Sequence, residues 1–266
     1  MAGLVALLAG VLGLAFGSFA NVVIHRVPEG RSVARPPSAC PRCGTEIRPR
    51  DNIPVVSWLL LRGRCRDCGA PISPRYPVVE LVCGALFAGT AWWLASADPP
   101  DWWALPAMGL FVWMLLVVTV IDYETRRIPN ALTYPLTPAL AVLLVVAALA
   151  NGEPGRIVDV LIGGAGAFAF LLVLALINPR GMGMGDVKYA AFLGLGLGYV
   201  GLGAVVIGIF GAFLIGSVIS IGLIVTRLRG RKDMIPFGPF LSIGALLALL
   251  FGSQIADAYL SAVGLA

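Results

Sequence analysis

The chain is poor in charge. Only 12% of its 266 residues are Asp, Glu, Lys or Arg, where a soluble domain carries about a quarter, and its mean hydropathy is +0.91. That excludes an ordinary solvated fold. It also weakens any nucleic-acid reading of the +5 net charge, because basic residues in membrane chains gather in cytoplasmic loops. Histidine is nearly missing: His25 stands alone, so a Ser–His nucleophile is possible only through it. His25 follows an apolar run beside Arg26, where a loop role suffices. No strand pattern precedes "GMGMG" at 181–185, so these alternating glycines are not a dinucleotide fingerprint. Internal repeats and low-complexity tracts are absent.

What fills the chain instead is apolar sequence. Runs near 2–24, 77–95, 103–121, 131–150 and 157–177, a long one at 189–226, and a last one near 237–263 approach or exceed the roughly 20 residues a spanning helix needs. The first run lacks a basic segment before it and is too long for a signal peptide, so it reads as a retained helix. Residues 25–76 hold ten arginines against four acids, and 122–130, 178–188 and 227–235 each carry Lys or Arg, whereas "SADPPD" and "NGEPG" carry none. Alternating these loops puts 25–76 in the cytoplasm. Loops 178–188 and 227–235 then fall on one side, so 189–226 must cross twice and turn near Gly198–Gly201. A single long tilted helix there would break the charge pattern. The expected fold is an all-α polytopic membrane protein of about eight transmembrane helices. Its divisions are a first helix at 1–24, a small cytoplasmic loop domain at 25–76 and a membrane core at 77–266. Trp92, Trp93, Trp102 and Trp103 flank the first outer loop as interface anchors. Gly194, Gly196, Gly198, Gly201, Gly203, Gly208, Gly211 and Gly216 are a packing signal for closely approaching helices.

Within 25–76, Cys40, Cys43, Cys65 and Cys68 form C-x2-C-x21-C-x2-C, just beyond the usual interval for a zinc site. Gly44 and Gly69 follow the two pairs and permit the tight turns that bring thiolates to one ion. Four thiolates suit tetrahedral Zn²⁺ in a closed structural site. Two disulfides are the competing reading, disfavoured in a reducing cytoplasm. A short loop rich in Arg and Pro also needs a staple, since it is too small to bury a good core. Cys83 falls within a span and reads as a small buried apolar residue.

Two acids stand at the same edge of the membrane. Asp122 ends the third span and Asp186 begins the sixth, 64 positions later. Each alone is an ordinary cap or loop charge. Together they can act as a general acid/base pair sharing one proton, because two close carboxylates do not both ionise cheaply. Gly183 and Gly185 would let an extended peptide lie against the backbone just before Asp186, a candidate substrate-binding edge. Helix ends suggest a division of labour, with Asp186 at an N-terminus as the ionised base and Asp122 at a C-terminus as the protonated acid; Arg126 and Arg127 oppose it. Glu80, at the start of the second span, fits either a site or the interface.

These features together resemble the type IV prepilin peptidases, membrane aspartic proteases of the GxGD type. The resemblance is carried by "GSFANVVIHRVP" (17–28), the tetracysteine loop at 40–80, "IDYETRRIPN" (121–130), "GMGMGDVK" (181–188) and "IPFGPFL" (235–241). It implies that Asp122 and Asp186 are catalytic. It implies cleavage of leader peptides from type IV prepilins and type II secretion pseudopilins at the cytoplasmic face of the bacterial inner membrane. The cysteine loop belongs to the bifunctional form, which implies methylation of the new N-terminus by S-adenosylmethionine. The partners implied are these protein substrates and the lipid bilayer, with no nucleic acid. Two other classes fit a polytopic chain: a transporter with glycine-broken helices at mid-membrane, and a non-catalytic scaffold of a secretion machine. Against the transporter, no charged residue lies clearly at mid-depth.

Overall fold

The computed structural model describes residues 1–179, 181–228, 230 and 235–262. Arg180, Arg229, Arg231 and Lys232, used in the charge reading, lie outside the described residues. Apart from two isolated β-bridges, the regular structure of the described residues is helical. The order is α1 (Ala2–Arg26), a 3-10 turn (Pro49–Asp51), α2 (Val56–Leu60), α3 (Arg75–Ala95), α4 (Leu105–Thr125), α5 (Asn130–Ala150), α6 (Gly155–Ile177), α7 (Met184–Val200), α8 (Leu202–Val225) and α9 (Gly238–Ala262).

The helices follow the apolar runs because a chain in lipid must satisfy its backbone internally. Their ends follow local chemistry. After α4 the chain turns at Arg126, held at φ +54°, and Pro129, extended, precedes the first residue of α5. The run 189–226 is broken at one residue, Gly201, whose φ of +145° no side-chain-bearing residue adopts cheaply. The two-helix reading of that run therefore holds, and the single tilted helix does not. Among the described residues, six helices, α1, α3, α4, α5, α6 and α8, are long and apolar enough to cross a membrane, which makes this a multi-pass membrane protein. The eight-span expectation also needs α7 and α9. α7 has 17 residues, with Asp186 and Lys188 in its first turns, and the apolar part of α9 is Gly238–Gly252.

The chain divides into two compact units: 1–105 with 112–117, and 106–111 with 118–266. In the first, α1 and α3 pack backbone to backbone. A Cβ at Gly13 would lie 2.9 Å from the Gly84 Cα, and one at Gly17 2.6 Å from the Glu80 Cα. Cys83 is fully buried in this seam, as expected of a small apolar residue. Trp113 donates its indole N–H to the Phe16 carbonyl (3.0 Å) and stacks on Phe19. Trp92, Trp102 and Trp103 face outward, as interface anchors do.

In the second unit, α6 meets α7 along Gly163, Gly194 and Gly198, and α8 meets α9 along Gly208 and Gly244. A Cβ on Gly194 would lie 2.7 Å from the Gly163 carbonyl carbon, and one on Gly198 3.0 Å from the Val160 Cα. Lipid offers little hydrophobic drive between helices, so close backbone approach is how they hold together.

Candidate active site and metal centre

The cysteine loop folds as two similar knuckles. In the first, the Cys40 N–H donates to the Thr45 carbonyl and the Gly44 N–H to the Cys40 carbonyl; in the second, Cys65 donates to Ala70 and Gly69 to Cys65. Gly44 (φ +72°) and Gly69 (φ +70°) make the reversals. Each knuckle is closed by a bridge, Ala39 with Glu46 and Arg64 with Pro71. The four sulfurs lie within 4.8 Å of one another, and all are free thiols. Cys40 Sγ and Cys68 Sγ, from different knuckles, are 3.8 Å apart, too far for a bond of about 2.05 Å. The disulfide reading is not the arrangement formed, and the cluster can hold a metal ion. Cys43 Sγ lies 3.4 Å from Thr45 Oγ1. That hydroxyl and the Thr45 backbone draw the Cys43 thiol down to about 6, and the backbone of Cys68 and Asp67 lowers Cys65. Cys68 goes the other way: although the Ala70 backbone lowers it, burial and the neighbouring thiols of Cys43, Cys65 and Cys40 push it up to about 11. Only part of the set is therefore drawn toward the thiolate, the metal-binding form. Arg66, between the second pair, grips Asp51 through its Nε and a terminal nitrogen (2.6–3.1 Å), and Arg48 holds Asp67 at 2.7 Å.

Between the two knuckles in sequence, Val55 sits in a tight γ-turn (φ +61°, ψ −50°), with the Val56 N–H reaching the Pro54 carbonyl at 2.6 Å. A β-branched residue pays for that conformation. Its N–H is held at 2.7 Å by the carboxylate of Glu80, which is buried and also bonded by Ser18. Glu80 therefore ties α3 to the segment that joins the two knuckles. His25 is exposed at the end of α1.

The two aspartates lie in the second unit. Asp122 is buried, 5% exposed, near the end of α4. Its Oδ2 accepts the N–H of Gly238, the first residue of α9, at 2.9 Å. Asp186 lies in the first turn of α7, half-buried, within electrostatic reach of Asp122. Its Oδ1 is enclosed and has no hydrogen-bond partner among the described residues. The helix-end argument for separate roles loses its asymmetry here. Asp186 stands at the N-terminus of its own helix, but Asp122, though it closes α4, also meets the N-terminus of α9.

The glycines before Asp186 have close neighbours. A Cβ on Gly183 would lie 3.0 Å from Asp186 Oδ2, and one on Gly185 3.1 Å from the Ile128 Cβ. Lys188 turns from the aspartates to Asn130 Oδ1 (2.9 Å) and the Tyr134 hydroxyl (3.0 Å), anchoring the start of α7 to the start of α5. A cavity of about 240 Å³ beside it is lined by Thr133, Thr137 and Phe168 among others. No sequence pattern pairs Gly238 with Asp122, 116 positions away. Its place in "IPFGPFL", after a basic loop and opening the last apolar run, was the only signal.

Comparison with known proteins matches residues 11–94 to the bacterial peptidase A24 N-terminal domain and residues 109–224 to the type IV leader peptidase family. The chain belongs to the type IV leader peptidase family. It is 37% identical to the prepilin leader peptidase/N-methyltransferase of Aeromonas hydrophila, covering 94% of this chain and 92% of that one. The protein of the same name from Pseudomonas aeruginosa is 36% identical (96% and 93% covered), and that of Bacillus subtilis 33% (94% and 96%). No solved structure matches the chain. The family's peptidase segment contains both Asp122 and Asp186, and its N-terminal segment contains the four cysteines and Glu80.

Proposed function

We propose that the chain is a membrane aspartic endopeptidase that removes the leader peptide from type IV prepilins and type II secretion pseudopilins. The work is done at the cytoplasmic face of the bacterial inner membrane, and the new N-terminus is then methylated, for which S-adenosylmethionine would supply the methyl group when bound. Asp122 and Asp186 are the catalytic pair. One carboxylate takes a proton from water as the water oxygen bonds to the scissile carbonyl carbon. The other, protonated, gives its proton to the carbonyl oxygen. Collapse of the tetrahedral diol breaks the C–N bond, and the departing amine takes up a proton. The observation that carries this reading is the electrostatic reach between the buried Asp122 and the half-buried Asp186, whose enclosed Oδ1 has no hydrogen-bond partner among the described residues. Unpaired buried polar atoms are rare and call for an occupant such as water or substrate. Gly183 and Gly185 are proposed as the edge along which an extended substrate strand lies, with Gly183 against the Asp186 carboxylate.

The cysteine module, residues 25–76, holds structural Zn²⁺ through Cys40, Cys43, Cys65 and Cys68. Four sulfurs about 2.3 Å from zinc form a tetrahedron with edges of ~3.8 Å, and the Cys40–Cys68 separation of 3.8 Å fits it. The proposed functional division is a first helix at 1–24, this module, and the protease core within 77–266. Methyl transfer is assigned to the module side of the protein. The test uses purified full chain, a prepilin and a pre-cut pilin. Asp122→Asn and Asp186→Asn should each abolish cleavage and leave methylation of the pre-cut pilin intact. Cleavage retained in both variants would reject the pair.

A further inference from the structure

Asp122 is the end of a chain of hydrogen bonds that begins on the helix of Asp186. The Gly238 N–H donates to Asp122 Oδ2 (2.9 Å), and the Ser242 hydroxyl donates to the Gly238 carbonyl (3.0 Å). Ser242 Oγ is 2.8 Å from the Tyr189 hydroxyl. A serine has one proton to give, and the Gly238 carbonyl receives it, so the Tyr189 O–H is the donor into Ser242. Tyr189 is fully enclosed and Ser242 is 4% exposed. Tyr189 lies three residues after Asp186 on α7, and its ring stacks on Phe192, which stacks in turn on Phe111 of α4. Gly238 has no room for a side chain: a Cβ there would lie 2.8 Å from Asp122 Oδ2 and 3.2 Å from the Asp122 Cβ. A buried phenol and hydroxyl cost stability unless paired, and here each is paired toward the same carboxylate.

We propose that Tyr189, Ser242 and Gly238 are positioning residues that hold the Asp122 carboxylate in register with the helix bearing Asp186. The inference rests on the reading that these two aspartates perform the cleavage. The chain moves no proton in the reaction. It ties α4, α7 and α9 together at the level of the two acids, so that a displacement of α7 is carried to Asp122 through α9. A serine bonded to its own helix carbonyl four residues back is ordinary. The distinguishing features are the phenol feeding it and the carboxylate at the far end.

The test compares Tyr189→Phe, Ser242→Ala, Ser242→Thr and Asp122→Asn in the full chain in liposomes. It reads kcat and KM for prepilin cleavage and the methylation rate of a pre-cut pilin. Each lost bond should lower the cleavage kcat about 2- to 10-fold, the range of a net hydrogen bond. KM and methylation should stay at the parental values, because substrate contacts and the first unit are untouched. Ser242→Thr keeps the hydroxyl and should recover most of the rate lost in Ser242→Ala. The double variant Tyr189→Phe/Ser242→Ala should fall less than the product of the singles, since both cut one chain. Parental kcat in both Tyr189→Phe and Ser242→Ala, with Asp122→Asn inactive, would overturn the positioning role and leave the catalytic pair standing. A loss shared equally by methylation would also overturn it, as general destabilisation. Parental cleavage by Asp122→Asn would remove the pair itself and this inference with it.

Discussion

Replacing Gly194 by alanine probes the seam that sets the place of α7. On its own helix the change is favourable, since alanine exceeds glycine in helix propensity by about 1 kcal/mol. Across the seam it is not. The new Cβ would stand 2.7 Å from the Gly163 carbonyl carbon and 2.8 Å from the Ala167 Cβ, and the Gly163 oxygen is nearer still. Ordinary contact begins at 3.4 Å, so α6 and α7 must part by about 0.7 Å or more. The obstacle is backbone, which no rotamer change relieves. Overpacking of this kind costs about 1–3 kcal/mol, and with backbone in the way the upper end applies, leaving a net loss of about 2 kcal/mol. The displacement matters more than the energy. α7 carries Asp186 eight positions earlier, and a misplacement of about 1 Å can cost about 100-fold in rate. Gly166→Ala is the matched control, on α6 with nothing within 4 Å of its Cβ position. In liposomes, Gly194→Ala should cleave prepilin at least about 10-fold more slowly than Gly166→Ala and unfold at lower temperature. Equal rates and equal thermal stability for the two would refute the claim that this seam is closed to a methyl group.

Elemental analysis of protein purified under reducing conditions should find one zinc per chain, and Cys40→Ser or a strong chelator should remove it while helix content measured by circular dichroism stays nearly constant. Arg66 holds the Asp51 carboxyl below the usual carboxylate range. That pair therefore contributes to the module above about pH 3.9 and is lost only as pH falls through the lowered value, so acid should release the metal, by thiolate protonation, before it frees Asp51; infrared carboxyl bands followed alongside metal release check the order. Gly203→Cys, placed where no atom crowds it, should react with a membrane-impermeant thiol reagent added outside intact cells, and protection there with labelling from the cytoplasm would sink the eight-span topology.

Local features of the fold were legible because local chemistry sets them. Apolar runs became helices, Gly201 broke the long run where the charge pattern required a turn, and Gly44 and Gly69 reversed the two knuckles. The two aspartates were legible as acids at helix ends, Asp122 late in α4 and Asp186 in the first turn of α7. What surrounds them was not. The bond from Gly238 to Asp122 spans 116 positions, and no periodicity or spacing encodes such a pairing; it arises only when α9 docks. The approach of Ile128 to Gly185 is hidden for the same reason, since it forms only when the start of α7 packs against the chain before α5. Val55 misleads outright, since a β-branched residue favours extended backbone and here takes a positive φ in a turn pinned by Glu80.

The length of α7 has a consequence for where the enzyme works best. Its 17 residues rise about 25 Å, while a typical hydrocarbon core is about 30 Å thick. In the eight-span reading, with Gly201 near one surface, the other end of α7, where Asp186 sits, stops short of the opposite surface. Most of α7 is buried among its neighbouring helices, so lipid meets that shortfall only through them: the bilayer thins around the bundle or leaves the acid a few ångströms beneath the headgroups, at a cost of a fraction of a kcal/mol per ångström. Hydrolysis needs water at that acid, so lipid tail length becomes a control on rate: shorter acyl chains should bring the aspartates to the water, and longer ones should submerge them.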